Sequence, residues 1–259
     1  MRLFLLPPDY NGQDTLTLTG SDLGYVVNVL RLKEGRQLTG RDKDGKTYLL
    51  TVEKIKKGSC TLSVTELAQA VETTDALPTL RPQKTIVLYQ CLPKGRKMDE
   101  IIKRSTEMGA RAIVPVKSKN CVADYSDSSS KSQRYMALVK EAVQQSGSLV
   151  PTAVMESVSL EEIPNHFKKN FGEDFCGLFF HQCTLEENQK NILNTLESLG
   201  NKDLPFAVVV GPEGGFDTTE CSFLMENNFH PILLQTNILR CETAALYAVA
   251  AIQAISESL

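Results

Sequence analysis

The chain has 259 residues, 42% of them hydrophobic and 23% charged, which is ordinary for a globular protein and argues against a disordered one. The longest apolar run, Ala244 to Ile252, is shorter than the ~18 residues that span a bilayer, and the start MRLFLLPPDY does not resemble a secretory signal, so we expect a cytoplasmic protein without a membrane segment. Seven cysteines without C-x-x-C spacing and three histidines without an H-E-x-x-H pair argue against a disulfide framework and a metal site.

The net charge of −3 is unevenly distributed. Residues 1–66 carry ten Lys and Arg against eight Asp and Glu, whereas the rest of the chain carries 18 against 23. A positive N-terminal part permits a polyanionic partner, although on charge alone a solvated surface is the simpler interpretation.

The first 66 residues predict short strands separated by turns. Strands are predicted at 37–40, 47–52 and 61–65, with turns at 42–45 and 56–58. This pattern favours a small antiparallel β-barrel, which we assign to residues 1–72. Residues 67–82 lack a sustained period and contain two prolines, so they are predicted to be a linker.

From Thr85 onward the sequence alternates between strands and helices. Strands are predicted at 86–88, 112–116, 177–181, 206–210 and 232–234, helices around 98–105, 135–142, 186–199, 218–228 and 241–257, and a serine-rich loop at 126–132. Because the strands are apolar throughout, we expect a parallel sheet covered on both faces by helices, forming an α/β domain over residues 73–259.

The segment GPEGG, residues 211–215, connects a predicted buried strand to a helix start at Asp217 and Glu220, which have the spacing of a capping box. Its glycines permit two interpretations, a tight turn or a backbone cradle for an anionic or polar ligand at the carboxyl end of a strand. The segment lacks the lysine of a phosphate-binding loop. By itself, Glu213 would be either a solvated loop acid or a catalytic group.

A second motif follows about twenty residues later, where the apolar run 231–234 breaks into Gln235-Thr236-Asn237 and returns at Ile238-Leu239-Arg240. The next helix is alanine-rich and apolar on most faces, so it is predicted to be buried. Arg240 must then either pair with a carboxylate, such as Glu213 or Glu242, or face a cleft. Spacing alone favours neither.

These two motifs together resemble one known family. GPEGGF (211–216) with Glu220 downstream, followed by ILRCETA (238–244), is similar to the RsmE family of 16S ribosomal RNA (uracil-N3)-methyltransferases, of the SPOUT class. Further similar blocks, spread over nearly the whole chain, are VLRLKEG (29–35), KGRKMDEIIKRSTEMGARAIVPV (94–116) and EAVQQSGSLVP (141–151).

The resemblance implies a PUA-like barrel, a SPOUT domain with a trefoil knot, a homodimer, S-adenosyl-L-methionine as cofactor and a uridine of 16S rRNA in the small ribosomal subunit as substrate. The residues that would contact the cofactor, mostly through main-chain groups, lie in 180–182, 211–215 and 234–239. They include Phe180, His181, Gly211, Glu213, Gly214, Gly215, Leu234, Ile238 and Leu239.

Arg240 is the candidate for stabilising negative charge on the uracil oxygens as the N3 proton leaves, and Glu242 or Glu213 would orient Arg240 or accept that proton. Arg31, Lys33 and Arg36 would bind rRNA phosphates. His181 either contacts the cofactor edge or simply ends a strand. Cys241 is interpreted as a packing residue, because methyl transfer to N3 needs no cysteine nucleophile.

Several positions depart from the family pattern. A glycine and an arginine are missing at 235–237, where Gln235 and Asn237 stand, Asn120 and Ser148 replace arginines, and Tyr25 and Asn28 replace a histidine and a basic residue. Each change removes positive charge or backbone freedom, so two alternatives stay open. These are a non-catalytic RNA-binding or ribosome-assembly factor on the same fold and a methyltransferase for a different RNA nucleotide. A nucleotide hydrolase is disfavoured.

Overall fold

The computed structural model describes residues 3–67, 84–122, 129–148, 152–185, 191–199, 204–234 and 236–258. The chain forms two compact units, Met1–Leu80 with Val143–Leu149 and Arg81–Ala142 with Val150–Leu259. Within the described ranges, no helix is both long and apolar enough to cross a membrane. Apart from Leu67, the predicted linker 67–82 lies almost wholly outside the described residues.

The first unit is a five-stranded sheet in the order β1-β3-β4-β5-β2. Its elements are β1 (Leu3–Leu5), β2 (Thr15–Leu18), α1 (Gly20–Gly24) with a π-helical turn (Tyr25–Val29), β3 (Gln37–Arg41), β4 (Thr47–Lys56) and β5 (Ser59–Glu66). Alternate strand residues are buried in one core, as the alternating sequence predicts. The three predicted strands are confirmed and are longer than expected, whereas β1, β2 and α1 are too short to give a sequence signal.

All pairs in the first sheet are antiparallel except β1 with β3, which is parallel and departs from the expected antiparallel barrel. Sequence alternation is the same in parallel and antiparallel strands of a half-buried sheet, so the pattern could not distinguish this pair.

From residue 84 onward the chain alternates strands and helices as predicted. Its strands are β6 (Ile86–Cys91), β7 (Ala112–Lys117), β8 (Ala153–Val154), β9 (Val158–Ser159), β10 (Cys176–Phe180), β11 (Phe206–Val210) and β12 (Phe229–Ile232). Its helices are α2 (Lys97–Glu107), α3 (Ser129–Ser146), α4 (Ile163–Phe171) after a 3-10 turn (Leu160–Glu162), α5 (Ile192–Leu199), α6 (Thr218–Glu226) and α7 (Cys241–Ser258).

The second sheet has the order β12-β10-β11-β6-β7-β8, with β9 also paired to β7, and every pair is parallel. Every residue of β6, β10 and β11 is buried, which explains their continuous apolar sequence. Because the strands are parallel, the carboxyl ends of β10, β11 and β6 meet at one edge of the sheet. The expected α/β fold class is confirmed, and the trefoil knot stays a prediction.

Two boundary predictions are wrong, and a third is tested only in part. The strand predicted at 232–234 is β12, which ends at Ile232, while the apolar run continues past the strand. Among the described residues β12 pairs only with β10, so it is an edge strand, a position that tolerates proline. The helix predicted at 186–199 begins at Ile192 within the described residues, and 186–190 lie outside them. The serine-rich segment 126–132 is helical from Ser129 onward, and α4, β8 and β9 were not predicted.

Candidate active site at the carboxyl ends of the central strands

A cleft of about 320 Å³ opens at the carboxyl ends of β10 and β11. The chain that connects β12 to α7 forms its remaining wall. This position follows from the topology, because ligands of open α/β sheets bind outside the carboxyl ends of the strands. The volume lies at the lower end of the range typical of small-molecule sites. The lining residues are Phe180, His181, Gln182, Val210, Gly211, Pro212, Glu213, Gly215, Phe216, Leu233, Leu234, Thr236, Asn237, Ile238, Leu239, Arg240, Cys241 and Ala244.

The structure places eight of the nine residues predicted for the cofactor around this one cleft; Gly214 does not line it. Arg240 also lines the cleft, and Glu242 lies beside it in the first turn of α7. Sequence reasoning missed Phe216, Leu233 and Ala244. These side chains are apolar. Phe216 and Ala244 end the two motifs and Leu233 precedes the second, so only their place in or beside the motifs could have indicated them.

The glycines of the loop 211–215 are favoured by the protein itself, two by close neighbouring atoms and one by its backbone conformation. A Cβ at Gly214 would lie 3.0 Å from the Cβ of Asn120, and a Cβ at Gly211 would lie 3.3 Å from the ring of Phe216. Gly215 has a φ of +68°, a left-handed conformation that side chains rarely adopt. Its N–H donates to the carbonyl of Pro212 at 2.9 Å. The tight-turn interpretation of these glycines therefore has direct support in the packing.

The chain after β7 attaches to this glycine loop. The Asn120 Nδ2 donates to the carbonyls of Gly215 at 3.1 Å and Gly214 at 3.3 Å. The nearly buried Glu220 carboxylate accepts from the backbone N–H groups of Lys119 and Asp217, both at 2.8 Å, which completes the predicted capping box. These bonds join two strand ends and give the loop a defined shape.

Both candidate carboxylates pair with Lys97, the first residue of α2. Its Nζ lies 2.7 Å from Glu213 Oε1 and 3.4 Å from Glu242 Oε2. Glu213 also accepts from the backbone N–H of Lys94 at 3.1 Å. Of the two alternatives for Arg240, the structure has it lining the cleft, and among the described residues it does not pair with Glu213 or Glu242. Lys97 lies 116 residues before Glu213, at the start of an ordinary amphipathic helix, so no local pattern singled it out.

The electrostatic environment keeps these groups charged. Burial raises the pKa of Glu213, but hydrogen bonds from Lys97 and from the backbone outweigh it, and the net pKa is lowered. Burial likewise raises the pKa of Glu242, and hydrogen bonds from its own backbone N–H, Cys241 and Lys97 lower it further than burial raises it. The hydrogen bond to Glu213 raises the pKa of Lys97. A carboxylate with a lowered pKa is a weak proton acceptor, which argues against Glu242 or Glu213 as the base.

Arg240 is exposed within the cleft, and in the part of the chain that the structure describes its guanidinium has no ion pair. Its carbonyl accepts from the N–H of Ala244 at 2.8 Å, so its backbone starts α7. The neighbouring Cys241 is 5% exposed. Burial and then the hydrogen bond to Glu242 raise the pKa of the Cys241 thiol to about 12, so the thiol stays neutral and suits a packing role.

His181 is the residue immediately after β10. Its backbone N–H donates to the carbonyl of Ile232 at 3.1 Å, and its Nδ1 lies 3.1 Å from the carbonyl oxygen of Cys183. It therefore ends the strand and also lines the cleft, so the two interpretations of this residue are compatible.

The first unit carries a cationic segment, which we define as residues 31–37. Arg31, Lys33 and Arg36 are all exposed around one open groove. The buried Leu32 anchors the segment to the core, and the acid within it, Glu34, accepts from the N–H of Ile55 at 2.8 Å. Arg31 has a φ of 52°, a left-handed conformation that is uncommon outside glycine. The segment is thus a turn that is attached to the core and exposes three cations.

Among the described residues, no group of three or more His, Cys, Asp or Glu is placed to hold a metal ion.

Two family models match the chain. One described as an RNA methyltransferase domain matches residues 80–253, and one described as an RNA methyltransferase PUA domain matches residues 18–65. The chain belongs to the RNA methyltransferase family.

Named relatives of this RNA methyltransferase agree with that assignment. It is 29% identical to the ribosomal RNA small subunit methyltransferase E of Bacillus subtilis, over 95% of this chain and 92% of the relative. It is 28% identical to the enzyme of the same name from Synechocystis, over 98% of this chain and 78% of the relative. The predicted resemblance to the RsmE family is confirmed.

A solved structure establishes the shared fold. The ribosomal RNA small subunit methyltransferase E of Neisseria gonorrhoeae, bound to S-adenosyl methionine, superposes with a TM-score of 0.77 at 24% identity and covers 98% of both chains.

Two of the positions at which this RNA methyltransferase departs from the family pattern, Tyr25 and Asn120, have local structural explanations. Asn120 binds the glycine loop, as described above. The Tyr25 hydroxyl donates to the carbonyl of Leu3 at 3.2 Å and its ring stacks on Phe4, so it belongs to the packing of the first unit. The carbonyl of Ser148 accepts a hydrogen bond from Arg41, a buried cation of β3, but this main-chain contact does not explain the serine side chain.

The remaining departures are exposed or undescribed. Asn28 is exposed, and Asn237 is exposed at the cleft, where its carbonyl accepts from the Thr236 hydroxyl at 2.7 Å. Gln235 lies outside the described residues.

Proposed function

We propose that this chain is an S-adenosylmethionine-dependent methyltransferase that methylates N3 of a uridine in the 16S rRNA of the small ribosomal subunit. The observation that carries the proposal is the single cleft formed by GPEGGF and ILRCETA at the carboxyl ends of the central strands. The names of the relatives specify small-subunit rRNA, and one of them was solved with S-adenosyl methionine.

The cleft suits that cofactor by its chemistry. Its lining combines apolar side chains such as Phe180 and Leu239 with the main-chain polar groups of the glycine loop, which is typical of sites for a small molecule with an aromatic base and a polar tail. Residues 211–215 and 234–239 would bind it. When bound, the cofactor supplies an electrophilic methyl group on a sulfonium.

The target nitrogen imposes two further requirements on the protein. Uracil N3 is protonated and normally base-paired, so the base must be unpaired or extruded before it can react. Loss of the N3 proton leaves negative charge on the uracil ring, and Arg240, which is charged and unpaired among the described residues, would stabilise that charge. Since Lys97 pairs with Glu213 and Glu242, we infer that the proton leaves to solvent and that Glu242 acts indirectly.

We assign binding of the rRNA backbone to Arg31, Lys33 and Arg36. These three cations are exposed around one groove, and the acid of the segment, Glu34, accepts a hydrogen bond from the N–H of Ile55. The groove therefore presents a positive surface suited to phosphates. Phosphate contacts orient the RNA without selecting its sequence. In this proposal residues 1–72 bind RNA and residues 73–259 perform the chemistry.

We further propose a cytoplasmic homodimer. Three large apolar side chains around α5 and α7 are exposed, Ile238 at 80% and Leu193 and Tyr247 at 43% each. Burial of such side chains against a second copy would remove apolar surface from water. Sedimentation equilibrium tests the dimer, and a monomer at micromolar concentration would contradict it.

The decisive experiment measures transfer of labelled methyl from S-adenosylmethionine to small ribosomal subunits that lack N3-methyluridine, with protein-free rRNA in parallel. Label that maps to N3 of one uridine supports the proposal. Label on another nucleotide would favour the alternative methyltransferase. Cofactor binding without transfer to either RNA would favour the non-catalytic RNA-binding or assembly factor.

A further inference from the structure

Lys97 joins three segments that are far apart in sequence. It is the first residue of α2, Glu213 belongs to the loop after β11, and Glu242 belongs to the first turn of α7. Its Nζ lies 2.7 Å from Glu213 Oε1 and 3.4 Å from Glu242 Oε2. Helix α2 packs against α7, and β6, which precedes α2, pairs with β11. The Lys97 ammonium therefore lies where the start of α2 meets the loop after β11 and the start of α7.

The three side chains are shielded from solvent to a similar degree. Their exposed fractions are 30% for Lys97, 26% for Glu213 and 20% for Glu242, so their charges interact more strongly than those of a fully exposed pair. Glu213 is held on a second side by the backbone N–H of Lys94 at 3.1 Å. The arrangement is therefore a bridge of three partly buried charges, one of which is held by a further main-chain hydrogen bond.

Helix stability does not explain a lysine at this position. The N-terminus of a helix carries partial positive charge, so a cation at its first residue is unfavourable unless carboxylates compensate it. The acids of the first turn, Asp99 and Glu100, pair with Arg134 and Arg104 instead. The compensation for Lys97 comes from the cleft carboxylates, which links the lysine to the site.

The bridge also determines what is available to Arg240. Glu213 and Arg240 line the same cleft, and Glu242 is two residues from Arg240 along the chain. With both carboxylates paired to Lys97, the guanidinium of Arg240 has no ion pair within the described residues. If Lys97 lost its charge, both carboxylates would be uncompensated, and electrostatics would favour a new pair with Arg240, which lines the same cleft as Glu213.

We propose that Lys97 is a positioning residue that engages Glu213 and Glu242 and so leaves Arg240 free for the RNA substrate. This inference rests on the proposed function for its consequence in catalysis. Its structural part, the competition of Lys97 and Arg240 for the same carboxylates, does not.

The test removes the charge with the substitution Lys97→Met and compares this variant with Lys103→Met. Lys103 is a matched control, since it lies on the same helix, is 29% exposed and pairs with Glu141 at 2.9 Å, outside the cleft. We expect kcat to fall about 10- to 100-fold in Lys97→Met, with the KM for RNA changed less than threefold, and no comparable loss in Lys103→Met. Lys97→Arg should restore most of the rate. Lys97→Gln, which removes the charge but keeps a polar side chain, replaces Lys97→Met if that variant does not fold.

A double-mutant cycle separates positioning from a general loss of structure. In an Arg240→Ala background, Lys97→Met should lower kcat less than twofold further, because its effect passes through the missing arginine. Full additivity of the two losses would overturn the inference.

A crystal structure of the Lys97→Met protein supplies a readout that is independent of activity. We expect a nitrogen of the Arg240 guanidinium to lie within about 4 Å of a carboxylate oxygen of Glu213 or Glu242, which is the distance of an ion pair. If the wild type methylates no RNA but this pair forms, the proposed function fails and the competition is supported. If the wild type is active but Arg240 stays unpaired in the variant, the inference fails and the function stands.

Discussion

The cleft and the cationic segment 31–37 both present charged groups, but they present them in opposite ways. At the cleft Glu213 accepts hydrogen bonds from Lys94 and Lys97 at the start of α2, and beside it the buried Glu220 accepts from Lys119 and Asp217. In the segment, Arg31, Lys33 and Arg36 are exposed, and they have no ion pair among the described residues. The first arrangement orients its groups through specific hydrogen bonds, which chemistry requires, and the second supplies charge, which is enough to bind a phosphate backbone.

This contrast predicts that changes in the cleft alter the rate of the chemical step, whereas changes in the segment alter RNA affinity and its dependence on salt. The largest effect should come from Arg240→Ala, with kcat about 10²- to 10³-fold lower, as expected for loss of one group that stabilises developing charge. Single-turnover kinetics at saturating RNA measures it. Cofactor affinity by calorimetry should stay within threefold, and an unchanged rate would remove Arg240 from the chemistry.

The next effect in size should come from the triple change Arg31→Ala, Lys33→Ala and Arg36→Ala. We expect RNA affinity to fall about tenfold or more and the slope of log affinity against log salt to decrease by about 2 to 3, with kcat at saturation unchanged. Filter binding over a salt series measures both quantities. The matched control replaces three other exposed cations of the first unit, Lys43, Lys56 and Lys57, by alanine. Equal losses in both triples would mean that net charge, not this segment, determines affinity.

A smaller effect should follow Gly214→Ala. Its Cβ would lie 3.0 Å from the Cβ of Asn120, so the glycine loop must shift, and we expect about a fivefold to tenfold loss of cofactor affinity and about 1 kcal/mol of stability. Calorimetry and thermal unfolding measure the two. Adding Asn120→Gly removes the opposing Cβ and should recover part of the affinity. Gly24→Ala, whose nearest new contact is 3.9 Å away, is the control and should bind the cofactor normally.

The smallest effect concerns acid stability through Asp217, the N-cap of α6. Hydrogen bonds from Thr219 and then Lys119 lower the pKa of Asp217 from 3.8 to about 2. Because the folded pKa is below the unfolded one, its contribution to stability is complete above about pH 4 and is lost as pH falls toward 2. Asp217→Asn should therefore flatten the dependence of the melting temperature on pH in this window. An unchanged dependence, equal to that of the exposed control Asp9→Asn, would contradict the assignment.

Much of this architecture could be predicted because the relevant signals are local. Apolar five-residue runs such as 206–210 indicate strands buried on both faces, and the capping box at Asp217 and Glu220 marks a helix start within four residues. β8 and β9, with two residues each, and the edge strand β12 gave weak or misleading patterns, since short or half-exposed strands carry few apolar positions.

By itself, the sequence determined the fold class, the two motifs of the cleft and the family, because each depends on residues close together along the chain. Only the tertiary structure decided which partner each charged group has. Lys97 reaches Glu213 across 116 residues and Asn120 reaches Gly215 across 95, and contacts of this kind depend on how the strand ends are brought together. The periodicity of a sequence does not indicate contacts over such separations. The pairing of Lys97 with Glu213 and Glu242, which leaves Arg240 without an ion pair among the described residues, could therefore be found only in three dimensions.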